Sequence, residues 1–153
     1  MTEASTSAEN RELIAFTVAG QEFCVDVQTV REIRSYTAAT AIPHAPPYVI
    51  GVVNLRGMVL PIVDLGDRLG FGRTAPNARS AIIVADIGGD LVGLLVDSMS
   101  SIMTVRQDQL QPAPDVASSL AQSFVGAVLA IDDRMISLLS VQGVLPAKLD
   151  VAA

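Results

Sequence analysis

Residues Leu13 to Val27 read LIAFTVAGQEFCVDV, and 69 positions further on residues Ile82 to Val96 read IIVADIGGDLVGLLV. Each stretch is a pair of apolar runs around a small dipeptide, Ala19-Gly20 in the first and Gly88-Gly89 in the second. Such dipeptides tolerate the positive φ angles of tight turns, so each stretch predicts a β-hairpin. Ile14, Phe16 and Val18 alternate onto one face of the first hairpin, whereas residues 82–85 and 92–96 are almost wholly apolar and predict strands covered on both sides. The same offset carries Val30 to Met99, Ile33 to Ile102 and Pro43 to Pro112. Beyond the prolines it becomes 75, with Gly51 on Gly126 and Val53 on Val128, and a small insertion then sets Met58-Val59 against Met135-Ile136. The sequence therefore holds two copies of one small β unit.

Outward from the repeat, eight short apolar runs are strand candidates: 13–18, 22–27, 51–55, 58–63, 80–87, 91–96, 126–131 and 135–139. Arg56-Gly57 and Asp132-Asp133 close the other two hairpins. Asp26 is the expected N-cap of a helical stretch from Val27 to Arg34, and Asp64 of one from Leu65 to Leu69 that ends at Gly70. The fold class is all-β with short helices. A unit of about 70 residues is marginal alone, so the copies should pack on a shared apolar seam that leaves a groove between them. Residues 1–11 and 148–153 read as tails, and 12–147 as the folded domain.

Half of the residues are apolar and 17% are charged. That leaves little charge to cover the surface, so some apolar surface is expected to meet partners. The net charge of −6 argues against nucleic acid, and no basic stripe offsets it. The apolar runs are far shorter than the ~20 residues that span a bilayer. No leader is legible in Met1 to Asn10. With one cysteine, Cys24, no internal disulfide or cysteine cage can form, in keeping with a reducing cytoplasm.

A search for catalytic chemistry returns little. His44 is the lone histidine and sits in the rigid loop Ile42-Pro43-His44-Ala45-Pro46-Pro47, away from carboxylates, so it reads as a surface contact. No serine lies in a nucleophile elbow. Gly70-Phe71-Gly72-Arg73 lacks a P-loop lysine and reads as a connector. Asp132 and Asp133 read as turn residues, and Asp64 and Asp97 as caps of helical turns. The expectation is a non-catalytic protein with neither metal nor cofactor. An enzymatic or small-molecule-binding barrel would need converging polar groups that these strands scarcely supply.

Val30-Arg31-Glu32-Ile33, the run from Pro43 through Asn54-Leu55-Arg56-Gly57, and Leu60-Pro61-Ile62-Val63-Asp64-Leu65 together resemble the chemotaxis coupling proteins of the CheW family. The resemblance extends from about Leu13 to Pro146 and includes Val92 to Asp97 and Pro112-Ala113-Pro114. It implies two five-stranded SH3-like barrels. It also implies a cytoplasmic adaptor, monomeric alone, that joins the cytoplasmic tips of chemoreceptors to the regulatory domain of the chemotaxis histidine kinase in membrane-associated arrays. A coupler for another array, such as one controlling pili, is the alternative.

Carried over by position, the resemblance implies a receptor-binding groove of Val27, Val30, Glu32, Arg56, Met99 and Ile102, with Glu32 and Arg56 as an ion pair. It implies kinase-binding loops at Gln111, Pro112, Asp115 and Val116 and, through the repeat, at Ile42, Pro43 and His44. Gln111 and Val116 stand where some relatives carry a basic and an aromatic residue.

Overall fold

The computed structural model describes residues 10–112, 125–131 and 133–141. Among the described residues eleven strands follow in order: β1 (Asn10–Val18), β2 (Gln21–Asp26), β3 (Val30–Ser35), β4 (Val49–Leu55), β5 (Met58–Asp64), β6 (Ala81–Ile87), β7 (Asp90–Val96), β8 (Ser98–Arg106), β9 (Leu110–Gln111), β10 (Val125–Ile131) and β11 (Arg134–Leu139). A short helix, α1 (Leu65–Arg68), follows β5. The expected hairpin turns are present, with positive φ at Ala19, Gly20, Arg56, Gly57, Gly88, Gly89 and Asp133. Asp132 lies outside the described residues, as do residues 1–9 and the expected tail at 148–153.

The strands form two sheets, one of six in the order β8-β1-β2-β11-β10-β9 and one of five in the order β3-β6-β7-β5-β4. Neither sheet is built from one half of the chain. The β1–β2 hairpin of the first copy sits among β8 to β11 of the second, and the β6–β7 hairpin of the second sits among β3 to β5 of the first. The exchange is symmetric to the residue: Ile33 pairs with Ile83 and Ile14 with Ile102, which are the same pair under the offset of 69. The sixth strand, β9, pairs Gln111 with Val128, and its counterpart in the other sheet is the isolated bridge between Thr40 and Val52.

Pairing registers correct the second half of the repeat. Val49 faces Val63, Gly51 faces Ile62 and Leu55 faces Met58 in β4–β5, while Val125 faces Leu139, Ala127 faces Leu138 and Ile131 faces Arg134 in β10–β11. The offset is thus 76 throughout, without an insertion. Gly51 corresponds to Ala127, not Gly126, because a shared bulge after Val49 and Val125 absorbs the extra residue.

Alternation along the strands divides the core. Leu13, Ala15, Cys24, Val105, Leu129, Ile136 and Leu138 fill one sheet's own interior, and Leu55, Leu60, Ile62, Ile82, Val84 and Leu95 fill the other's. The intervening residues Ile14, Phe16, Val18, Phe23, Val25, Ile83, Leu94 and Val96 meet between the sheets in one shared cluster, the expected seam. Cys24 is fully buried, and that burial pushes its thiol up to about 12. The native protein should consequently resist a thiol-specific reagent at pH 8 and react with one equivalent once unfolded; rapid native labelling would refute the buried placement.

Two local expectations change. Asp26 does cap, its carboxylate accepting from the Gln28 amide at 2.9 Å, but only a single 3-10 turn from Val27 to Thr29 follows. Residues 30–34 continue as β3 because Val30 and Ile33 gain a partner strand in β6, which a solitary short helix would lack. Asn10 and Arg11, placed in the tail by the sequence reading, belong to β1. Arg11 faces Val105 and pairs with Asp26 at 2.8 Å.

Candidate interaction surfaces

β3 and β8 are each the outermost strand of a sheet, and each has its inner edge on a hairpin strand donated by the other copy. The 3-10 turn from Val27 to Thr29 touches both β1 and β6, the inner neighbours of β8 and β3, and so draws the two edges toward one stretch of the seam. Val27, Val30 and Met99 are partly buried against that shared cluster. Directly opposed residues in a pair project to the same side. Ile33, opposite the buried Ile83, and Ile102, opposite the buried Ile14, therefore extend the seam outward, where they are 42% and 68% exposed. An exposed isoleucine at both repeat-related positions is an unpartnered apolar surface, not a core.

Glu32 lies on the other side of β3, opposite Val84, and Arg56 reaches it from the β4–β5 turn. That turn is shaped by Asn54, whose Oδ1 accepts the Gly57 amide at 2.8 Å, leaving Arg56 at a φ of 50° with an exposed side chain. The Arg56 guanidinium, helped by Arg34, holds the Glu32 carboxyl below its ordinary value of 4.5. A depressed carboxylate keeps its ion pair above the ordinary value and loses it only as pH falls through the lowered one, so the pair is intact at neutral pH. Arg34 also lies 3.5 Å from Glu32, and Arg31 pairs with Asp86 at 2.5 Å. Sequence reasoning omitted Arg31 and Arg34 from the surface, and reached Ile33 only through its match with Ile102 in the repeat.

Of the loop residues, Pro43 and His44 are exposed, His44 at a φ of 65°, while Ile42 is partly buried against the shared cluster. Gln111 and Pro112 are exposed at the end of β9. The Thr40–Val52 bridge and the Gln111–Val128 pair are repeat-related, so the two loops leave corresponding points on different sheets. Asp115 and Val116 lie outside the described residues.

The remaining candidates are structural. Asp64, nearly fully buried, caps α1 and accepts the Thr74 amide at 2.8 Å and the Thr74 hydroxyl at 2.7 Å, tying down the connector through Gly70 and Gly72. Asp97 precedes a strand, not a helical turn, and its carboxylate accepts the Ala19 amide of the β1–β2 turn at 2.8 Å. Among the described residues no three His, Cys, Asp or Glu side chains converge to hold a metal ion, and no helix is long and apolar enough to cross a membrane.

With this geometry in place, comparison with known proteins is specific. The family model described as a CheW-like domain matches residues 12–148. The chemotaxis protein CheW of Rhizobium meliloti (strain 1021) is 53% identical over 150 residues, covering 97% of each chain. The probable chemotaxis protein CheW of Rhizobium etli is 51% identical, covering 90% of this chain and 89% of that one. The crystal structure of the scaffolding protein TtCheW from Thermoanaerobacter tengcongensis superposes with a TM-score of 0.82 at 28% identity, over 90% of this chain and 88% of that one.

Proposed function

The chain belongs to the family of CheW-like domains, and from that premise we propose that it is a non-catalytic adaptor that couples chemoreceptor tips to the chemotaxis histidine kinase and so controls the kinase. The reading rests above all on the exposed isoleucines at repeat-related positions of the two edge strands. A helical hairpin laid along the seam would bury both at once, with Val27, Val30 and Met99 beneath it and Glu32 and Arg56 beside it. The loops at Ile42, Pro43 and His44 and at Gln111 and Pro112 are the surfaces for the kinase's regulatory domain. Prolines there leave little backbone freedom to lose on binding.

The test is a pull-down of the purified chain with a receptor-tip fragment and, separately, with the kinase regulatory domain. The wild type should capture both. Val30→Asp should lose the receptor fragment alone and Pro43→Asp the kinase domain alone. Arg56→Ala should weaken receptor capture by about 3- to 30-fold, the range expected when one member of a partly desolvated pair is removed, while melting within a few degrees of wild type because an exposed, solvent-screened pair contributes little to folding. Failure of the wild type to capture either partner would leave the fold and remove the function.

A further inference from the structure

The apolar residues of the two edge strands obey the repeat, and the charges do not. Under the offset of 69, Val30 corresponds to Met99 and Ile33 to Ile102, but Arg31 corresponds to Ser100, Glu32 to Ser101 and Arg34 to Met103. Between Asp97 and Arg106, β8 carries no charge at all. The apolar floor is therefore two-fold symmetric while its rims differ: arginines along β3, hydroxyls and a methionine along β8. Glu12, which pairs with Thr104 on the same side as Ile102, makes the β8 rim slightly acidic.

On the β3 rim, Arg34 and Arg56 both turn to the single carboxylate of Glu32. Two guanidiniums thus share one negative charge, in a chain whose net charge is −6. A partner helix lying along this edge takes water away from the group, and an excess cation without water is costly unless an anion replaces the lost hydration. A carboxylate answers this best, since an arginine fork binds it with two parallel charge-assisted hydrogen bonds.

Resting on the function proposed above, we infer that the β3 rim selects a helical partner with a carboxylate on the flank that lies over β3, and that this charge fixes which way round the helix lies on an otherwise symmetric floor. Ile33 and Ile102 supply affinity without direction. Arg34 and Arg56 supply direction, because a helix turned end for end would bring its acidic flank to the hydroxyl rim and to Glu12.

The experiment titrates the full chain with a helical-hairpin fragment of a chemoreceptor tip at low and at moderate salt, comparing wild type, Arg34→Glu and Arg34→Gln. Wild-type affinity should fall at least fivefold as salt rises. Arg34→Glu should bind at least tenfold more weakly at low salt, and Arg34→Gln about threefold more weakly with a shallower salt dependence. If the wild type binds and both variants match it within twofold at every salt concentration, the carboxylate inference is overturned and the groove reading stands. If the wild type does not bind the fragment at all, both are overturned. Should Arg34→Glu prove unstable, the salt dependence of wild type against Arg34→Gln decides alone.

Discussion

Gly51→Ala is expected to lower the melting temperature by about 10 °C, corresponding to about 3–4 kcal/mol at about 2–4 °C per kcal/mol for a chain of this size. Gly51 has a φ of 150°, which side-chain-bearing residues rarely adopt, and a Cβ built there would lie 2.3 Å from the Thr40 carbonyl oxygen and 2.6 Å from its carbon. Both are backbone atoms of the bridge in which the Thr40 and Val52 amides and carbonyls exchange hydrogen bonds of 2.8 Å. The methyl group can be accommodated only by prising that bridge away, which also frees the loop leading to Ile42 and Pro43. Gly126, by contrast, would place a Cβ no nearer than 3.9 Å to the Leu138 carbonyl oxygen, so Gly126→Ala should shift the melting temperature by about 2 °C or less. Thermal denaturation of the two variants checks the contrast, and equal shifts would mean that the bridge is not what holds the loop.

That contrast also marks where the sequence misled. The alignment of Gly51 with Gly126 set one glycine in both copies, yet pairing puts Ala127 at the position of Gly51; residues 49–53 and 125–129 are apolar throughout, so a shift of the alignment by one residue leaves no trace in the pattern. The hairpins were legible since both signals, apolar runs and a dipeptide tolerant of positive φ, are local. The shared seam was legible too, because two marginal units with apolar faces must cover one another. What no local signal carried is the exchange of hairpins. Ile33 finds Ile83, and Ile14 finds Ile102, across long stretches of chain, and either hairpin could on its pattern alone have stayed with its own half. β3 and β8 were hidden for a related reason. An edge strand is covered on one side at most, so charges and hydroxyls interrupt its alternation, and the good cap at Asp26 made Val27 to Arg34 resemble a helix start.

The loss of receptor-tip binding in an Ile33→Asp, Ile102→Asp double variant should be the largest binding effect, at least 100-fold, with the fold unchanged. At 42% and 68% exposure neither side chain contributes much to the core, and an aspartate at an exposed edge position retains its water, so the melting temperature should stay within about 3 °C of wild type. Under a partner helix the balance reverses. An isoleucine moved from water into an apolar contact gains about 1.5–3 kcal/mol, and an aspartate in its place loses that and must also be dehydrated. The single variants divide the effect informatively. The two positions are related by the repeat, yet only β3 carries the arginine rim. The new carboxylate of Ile102→Asp would add a second acid on the face it shares with Glu12, whereas that of Ile33→Asp projects to the side of β3 opposite Glu32, Arg34 and Arg56. Both should cost at least tenfold. A double variant that still binds within threefold of wild type would place the receptor elsewhere on the molecule. One that melts far below wild type would return Ile33 and Ile102 to the core.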